Sequence, residues 1–241
     1  MYASRNKYFF ISLILNIVNI SSLSQVRFAA IGDYGLAGEN ELAVANLVKS
    51  WNPDFIITLG DNNYEVGSGS TIDANIGQYY HQFIYPYHGS YGDGSFENKF
   101  FPALGNHDLA TNFAQPYFDY FELPGNERYY DFIQGNVHCF VINSDSSEID
   151  GIDENSIQAN WLKNTMQSSS PQMWKVVYFH HPPYSSGPRG SNIYMQWPFR
   201  EWGAHIVLSG HEHNYERLFA DSITYFINGL GGKSIYTFLE P

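Results

Sequence analysis

Two histidines separated by one glutamate, His211-Glu212-His213, stand just after the apolar run AHIVLS and a glycine. Residues two apart project to the same side of an extended segment but about 200° apart around a helix, so an extended chain aims both imidazoles at one point. Four further apolar runs end in a comparable way. VRFAAI is followed by Gly32-Asp33, DFIITL by Gly60-Asp61, KFFPAL by Gly105-Asn106-His107-Asp108, and WKVVYF by His180-His181. A single glycine and polar residue after a strand make an ordinary turn. Five endings that together deliver carboxylate, amide and imidazole donors, and no thiolate, have the donor chemistry of a catalytic transition-metal site. The candidates are Asp33, Asp61, Asn106, His180, His211 and His213, with Tyr64 close by in GDNNYEVG. Seven donors exceed what one four-coordinate ion takes. They suffice for two ions sharing a carboxylate, an arrangement that recurs in phosphoester hydrolysis.

Donors at strand ends need strands that deliver them to a common edge. The runs above, with VHCFVI, are short and rich in β-branched and aromatic residues. They alternate with NELAVANLVKSW and DENSIQANWLKNTMQ, whose apolar residues have helical spacing. Acidic residues opening the second suit a helix N-terminus, and YERLFA and ITYFING read as further strands. The alternation predicts an α/β fold with its ligands at the C-terminal ends of the strands. With 241 residues and no Pro- or Ser-rich linker, the chain suits one domain.

The 12 basic and 24 acidic residues give a formal charge of −12, which argues against nucleic acid or an anionic membrane surface as a partner. Arg5 and Lys7 precede an apolar stretch, Tyr8 to Ile20, and then small polar residues. Residues 1–24 thus read as a secretory signal peptide, with an uncleaved membrane anchor as the other reading; cleavage leaves 25–241 as a single secreted domain, extracellular or in a periplasmic or lysosome-like compartment, with no stable membrane association. Cleavage there takes the charge from −12 to −14. The one cysteine, Cys139 in VHCFVIN, excludes an internal disulfide and reads as a packing residue. His81, His88, His138 and His205 lie outside the five endings and read as surface or core residues, and YYHQFIYPYHGSYGDGSF reads as a packed insertion, with a wall of the substrate cleft as the other reading.

In this order, GDYG, GDNNY, GNHD, HHPPYSSG and GHEHNYER resemble the five-block signature of the calcineurin-like metallophosphoesterase superfamily, specifically its purple (tartrate-resistant-like) acid phosphatase branch. The resemblance runs from Val26 to about Gly232. The branch rests on Tyr64, three residues after Asp61, because a tyrosine there binds ferric iron in that branch. The resemblance implies a four-layer α/β/β/α sandwich. It places Asp33, Asp61, Tyr64 and His213 around a first metal, Fe(3+), and Asp61, Asn106, His180 and His211 around a second, Fe(2+), Zn(2+) or Mn(2+). The His-x-Pro pattern selects His180 as ligand and leaves His181 as a packing or orienting neighbour.

The implied reaction is hydrolysis of phosphate monoesters, small or carried on phosphoproteins, by attack of a metal-bound hydroxide. Asn106 and His107 would face the phosphate, with His107 protonating the leaving oxygen and Asp108 orienting its imidazole. Two departures stand out. Arg189 occupies the place of a second substrate-facing histidine, nine residues beyond His180; its fork of donors suits phosphate but cannot serve as an acid, and an ordinary loop arginine is the other reading. The chain also stops at Pro241, where the family usually continues through strands that complete its second sheet; a fragment or truncated gene product, with those final strands missing, and a short family variant are the open readings. Glu212 is expected to act as spacer or support, and Glu216 and Arg217 to pair with each other. A phosphodiesterase or nucleotidase of the same superfamily, and a non-catalytic phosphoryl-binding module, are the competing readings.

Overall fold

Alternation along the central strands shows the layering. In the computed structural model, which describes residues 25–237, Val176 and Tyr178 of one strand face a different cluster from Val177 and Phe179. Side chains of period two that are apolar on both faces require a covered sheet on each side. The first sheet holds β1 (Phe28–Ile31), β2 (Phe55–Thr58) and β3 (Phe100–Pro102), all parallel, in the order β1-β2-β3. Pro102 is tolerated because β3 is an edge strand.

The second sheet has the order β4-β5-β6-β7-β9-β8, from β4 (Tyr130–Gln134), β5 (Val137–Val141), β6 (Trp174–Phe179), β7 (Ile206–Ser209), β8 (Tyr215–Ala220) and β9 (Ile223–Asn228). Strands β5, β6, β7 and β9 run parallel, while β4 and β8 pair antiparallel at the two edges. Strand β4 was not among the runs read as strands. It returns into β5 through the two-residue turn Gly135-Asn136, a hairpin signal inside an otherwise unremarkable polar stretch.

Three cores separate four layers. Phe55, Ile57, Phe101, Cys139, Val141, Tyr178 and Leu208 fill the space between the sheets. Ile31, Ile56 and Phe100 on the outer face of the first sheet meet Ala45 and Val48 of α1 (Glu39–Ser50). On the outer face of the second, Phe140, Val177, Phe179 and Val207 meet Ala159, Leu162 and Met166 of α5 (Ile157–Ser168) and Phe199 and Trp202 of α6 (Phe199–Trp202). Helix α5 starts later than its acidic lead-in suggested, because Ser156 caps it by accepting from the Ala159 amide. The aromatic insertion packs rather than walling a cleft: Tyr79, Tyr80 and Phe83 join the outer core, with α2 (Gln78–Tyr80) one short turn within it. The expected α/β/β/α sandwich is thus the observed architecture. Phe140 has no exposure and joins strand to helix, so Phe140→Ala is expected to cost about 3–5 kcal/mol in chemical denaturation.

The signal peptide read over residues 1–24 lies outside the described residues, and among those described no helix is long and apolar enough to cross a membrane.

Candidate metal centre

Strands β1, β2, β6 and β7 end at one place, and the residues that follow them turn sharply. Asp33, Asp61 and His211 take the left-handed backbone, with φ of 57°, 55° and 68°. Non-glycine residues held there cost about 1–3 kcal/mol each, a strain that concentrates at functional sites. The preceding glycines make the approach possible. A Cβ on Gly60 would lie 2.5 Å from the His180 ring, and one on Gly105 would lie 2.2 Å from the Asp61 amide.

Four donors meet around a first point. The Tyr64 hydroxyl lies 3.1 Å from Asp33 Oδ1, 2.9 Å from Asp61 Oδ2 and 3.4 Å from His213 Nε2, and His213 Nε2 lies 3.2 Å from Asp33 Oδ1. A second group adjoins it. His180 Nε2 lies 3.4 Å from the same Asp61 oxygen, 3.1 Å from Asn106 Oδ1 and 3.1 Å from His211 Nδ1. Ligand atoms at about 2.1 Å from a tetrahedral ion lie about 3.4 Å apart, so these separations match donors sharing a cation. The structure brings all seven predicted donors together, with Asp61 Oδ2 common to both groups.

Electrostatics favour the same occupant. Asp33 and Asp61 are buried, and among the described residues their ion pairs are all with histidines. Burial raises the Asp33 carboxyl above its usual range. For Asp61 burial acts in the same direction, but His180 and His107 outweigh it and hold the carboxyl low. His180 is pulled down by burial and up by Asp61 and Asp33, ending at about 9. Burial and the two aspartates push the Tyr64 phenol far up; a cation held among these atoms would act in the opposite direction and favour the phenolate. His180 donates from Nδ1 to the Leu59 carbonyl at 2.8 Å, which leaves Nε2 free to ligate.

Residues 26–215 match the family described as calcineurin-like phosphoesterase. The chain belongs to that family. Among curated relatives, purple acid phosphatase 15 of Arabidopsis thaliana is 26% identical over 220 residues, 79% of this chain and 40% of that protein. Tartrate-resistant acid phosphatase type 5 of Rattus norvegicus is 25% identical over 257 residues, covering 90% of this chain and 74% of the relative. The chain thus spans well under half of the first relative's length and about three quarters of the second's. A solved structure described as GAP50, the anchor in the inner membrane complex of Plasmodium, has the same fold, with a TM-score of 0.62 at 18% identity over 88% of this chain and 75% of that one. Phosphoester hydrolysis at a dinuclear metal site is the chemistry of this family, and the donor set here fits it.

Two neighbours behave differently from their reading in sequence. Asp108 does not orient His107. Its buried carboxylate accepts from the Gly105 amide and from the Asn62 amide and side chain, tying the GNHD loop to the GDNNY loop, and burial with the nearby Asp61 charge raises it to about 7. His107 instead donates from Nδ1 to the Glu65 carbonyl at 2.5 Å. Nor do Glu216 and Arg217 pair. Glu216 is buried and accepts from Ser185, Ser186 and Asn214, supporting the loop after β6. Glu212 does serve as support: one carboxylate oxygen accepts from the amides of Arg189 and Gly190.

Sequence reasoning passed over Ser234 and Tyr236. The Ser234 hydroxyl meets His213 Nδ1 at 2.5 Å, and Tyr236 stacks on the same imidazole at 4.2 Å between ring centres. No spacing in GGKSIYTF signals either contact.

Proposed function

We propose that the chain is a secreted binuclear-metal acid phosphatase that hydrolyses phosphate monoesters, either small molecules or phosphoproteins. Fe(3+) is held by Asp33, Asp61, Tyr64 and His213, and Fe(2+), Zn(2+) or Mn(2+) by Asp61, Asn106, His180 and His211. The observation that carries the reading is the Tyr64 hydroxyl set among Asp33, Asp61 and His213, since a phenol among anionic oxygens suits a hard trivalent cation. When bound, two such ions supply Lewis-acid neutralisation of the phosphoryl oxygens and an attacking water of lowered pKa.

The chain's own residues supply position and protons. His107, partly exposed beside Asp61, has its neutral proton on Nδ1, because a carbonyl can only accept. Donation to a leaving oxygen therefore falls to Nε2, with both ring nitrogens carrying hydrogen. Arg189 lines a cavity of about 290 Å³ with His211, and its guanidinium meets the Tyr236 hydroxyl at 2.9 Å rather than a carboxylate, so it keeps donors for phosphate. The leader read over residues 1–24 supports export, and the acidic charge disfavours nucleic acid.

The test combines substrate and spectrum. Purified protein is expected to turn over nitrophenyl phosphate in preference to bis-nitrophenyl phosphate and a cyclic nucleotide; the reverse preference overturns the monoester reading. It is expected to contain iron and a visible tyrosinate band that Tyr64→Phe abolishes. A colourless protein carrying only zinc or manganese overturns the iron assignment.

A further inference from the structure

His181 is adjacent to a candidate ligand but has a different set of partners. Its imidazole packs against His211 at 4.4 Å and His180 at 4.9 Å between ring centres, and one ring nitrogen from each of the three lies within 4.8 Å of the others. It also lines the cavity shared by Arg189 and His211. The ring therefore borders both the second metal position and the space beside it.

The buried Ser144, just beyond the end of β5, fixes the tautomer. The Ser144 oxygen accepts from the His181 backbone amide at 2.8 Å and lies 3.0 Å from His181 Nδ1. With one lone pair taken by the amide and no other acceptor for its hydrogen among the described residues, the hydroxyl donates to Nδ1. Nδ1 is then the acceptor, and the proton of the neutral ring sits on Nε2. A protonated nitrogen cannot ligate a metal. It can donate a hydrogen bond, and a neutral imidazole held this way is an electrophile for an oxyanion.

We propose that His181, held by Ser144, is a neutral hydrogen-bond donor to a phosphoryl oxygen of the substrate, acting with Arg189 across the cavity beside His211. The inference rests on the phosphoesterase reading above. It gives the site a second donor where Arg189 occupies the position of a histidine. Glutamine can place an amide N–H near the position of Nε2, whereas methionine fills similar space with no donor.

The experiment compares metal-loaded wild type, His181→Gln and His181→Met. Metal per chain is measured by elemental analysis and the affinity for inorganic phosphate by calorimetry. All three are expected to hold two metals, with phosphate binding retained by His181→Gln and weakened about tenfold or more in His181→Met, the scale of a lost hydrogen bond to a charged group. Ser144→Ala, which frees the tautomer, is expected to weaken binding less, in the same direction. Phosphate affinity unchanged in His181→Met overturns the proposal, as does loss of a metal from that variant, which makes His181 a ligand. Wild type that binds phosphate but turns over no phosphoester sinks the proposed function, and with it the role of His181 toward a substrate, whereas turnover with phosphate affinity unchanged in His181→Met overturns this inference alone.

Discussion

Asp61→Ala is expected to lower phosphoester turnover by about 10³-fold or more, since a metal clamp contributes several kcal/mol and each 1.4 kcal/mol is tenfold. The reason is geometric. One oxygen, Oδ2, lies 2.9 Å from the Tyr64 hydroxyl and 3.4 Å from His180 Nε2, so a single carboxylate faces both donor groups. Alanine removes the carboxylate that both donor groups share and also frees the His107 amide, which donates to Oδ1 at 3.0 Å from the first turn of α3 (Asn106–Leu109). Asp61→Asn separates the two effects. The amide can keep the contact to His107 while losing the charge that holds cations, so it is expected to fold as wild type does and still fail to retain two metals. Elemental analysis and nitrophenyl phosphate kinetics read both. Wild-type metal content and turnover in either variant would remove Asp61 from the centre.

The residues converging at this centre were legible because each follows a strand, and strands of one polarity bring their C-terminal ends to one edge. Continuous apolar runs such as VHCFVI suit strands covered on both faces, and in that run Phe140 and Val141 face different layers. What was not legible is which strands share a sheet. The runs that become β2 and β6 look alike in sequence, yet they lie in different sheets joined at their ends by the His180 bond to the Leu59 carbonyl. Two misreadings came from treating sequence neighbours as partners. His107 and Asp108 are consecutive on α3, where successive side chains diverge by about 100°, and Glu216 and Arg217 are consecutive on β8, where they face opposite sides. The contacts that orient the imidazoles of the site, Ser234 on His213 and Ser144 on His181, come from loops whose placement depends on the whole fold.

Glu41→Gln is expected to stabilise the protein increasingly as pH rises. Glu41 lies on α1 within the outer core, with no exposure, and among the described residues neither carboxyl oxygen has a hydrogen-bond partner. The neighbouring Tyr80 hydroxyl is likewise buried and unpartnered. Burial pushes the Glu41 carboxyl up from 4.5 to about 10, so the folded chain keeps a proton there that the unfolded chain releases above pH 4.5. The unfolded state then binds fewer protons, and stability falls with rising pH by up to about 1.4 kcal/mol per unit across that window. Below pH 4.5 both states are protonated and the term vanishes. Glutamine has similar shape and no titration, so the variant and wild type are expected to match near pH 4.5 and to differ by about 2–4 kcal/mol at pH 7.5, the upper figure being three units of that slope. Titrations at the metal centre are common to both chains and cancel in the difference at each pH. Urea unfolding at the two pH values measures it. Parallel stability curves would mean that Glu41 ionises in the folded protein, and hence that water or a cation reaches a carboxyl otherwise buried near Tyr34 and Tyr80.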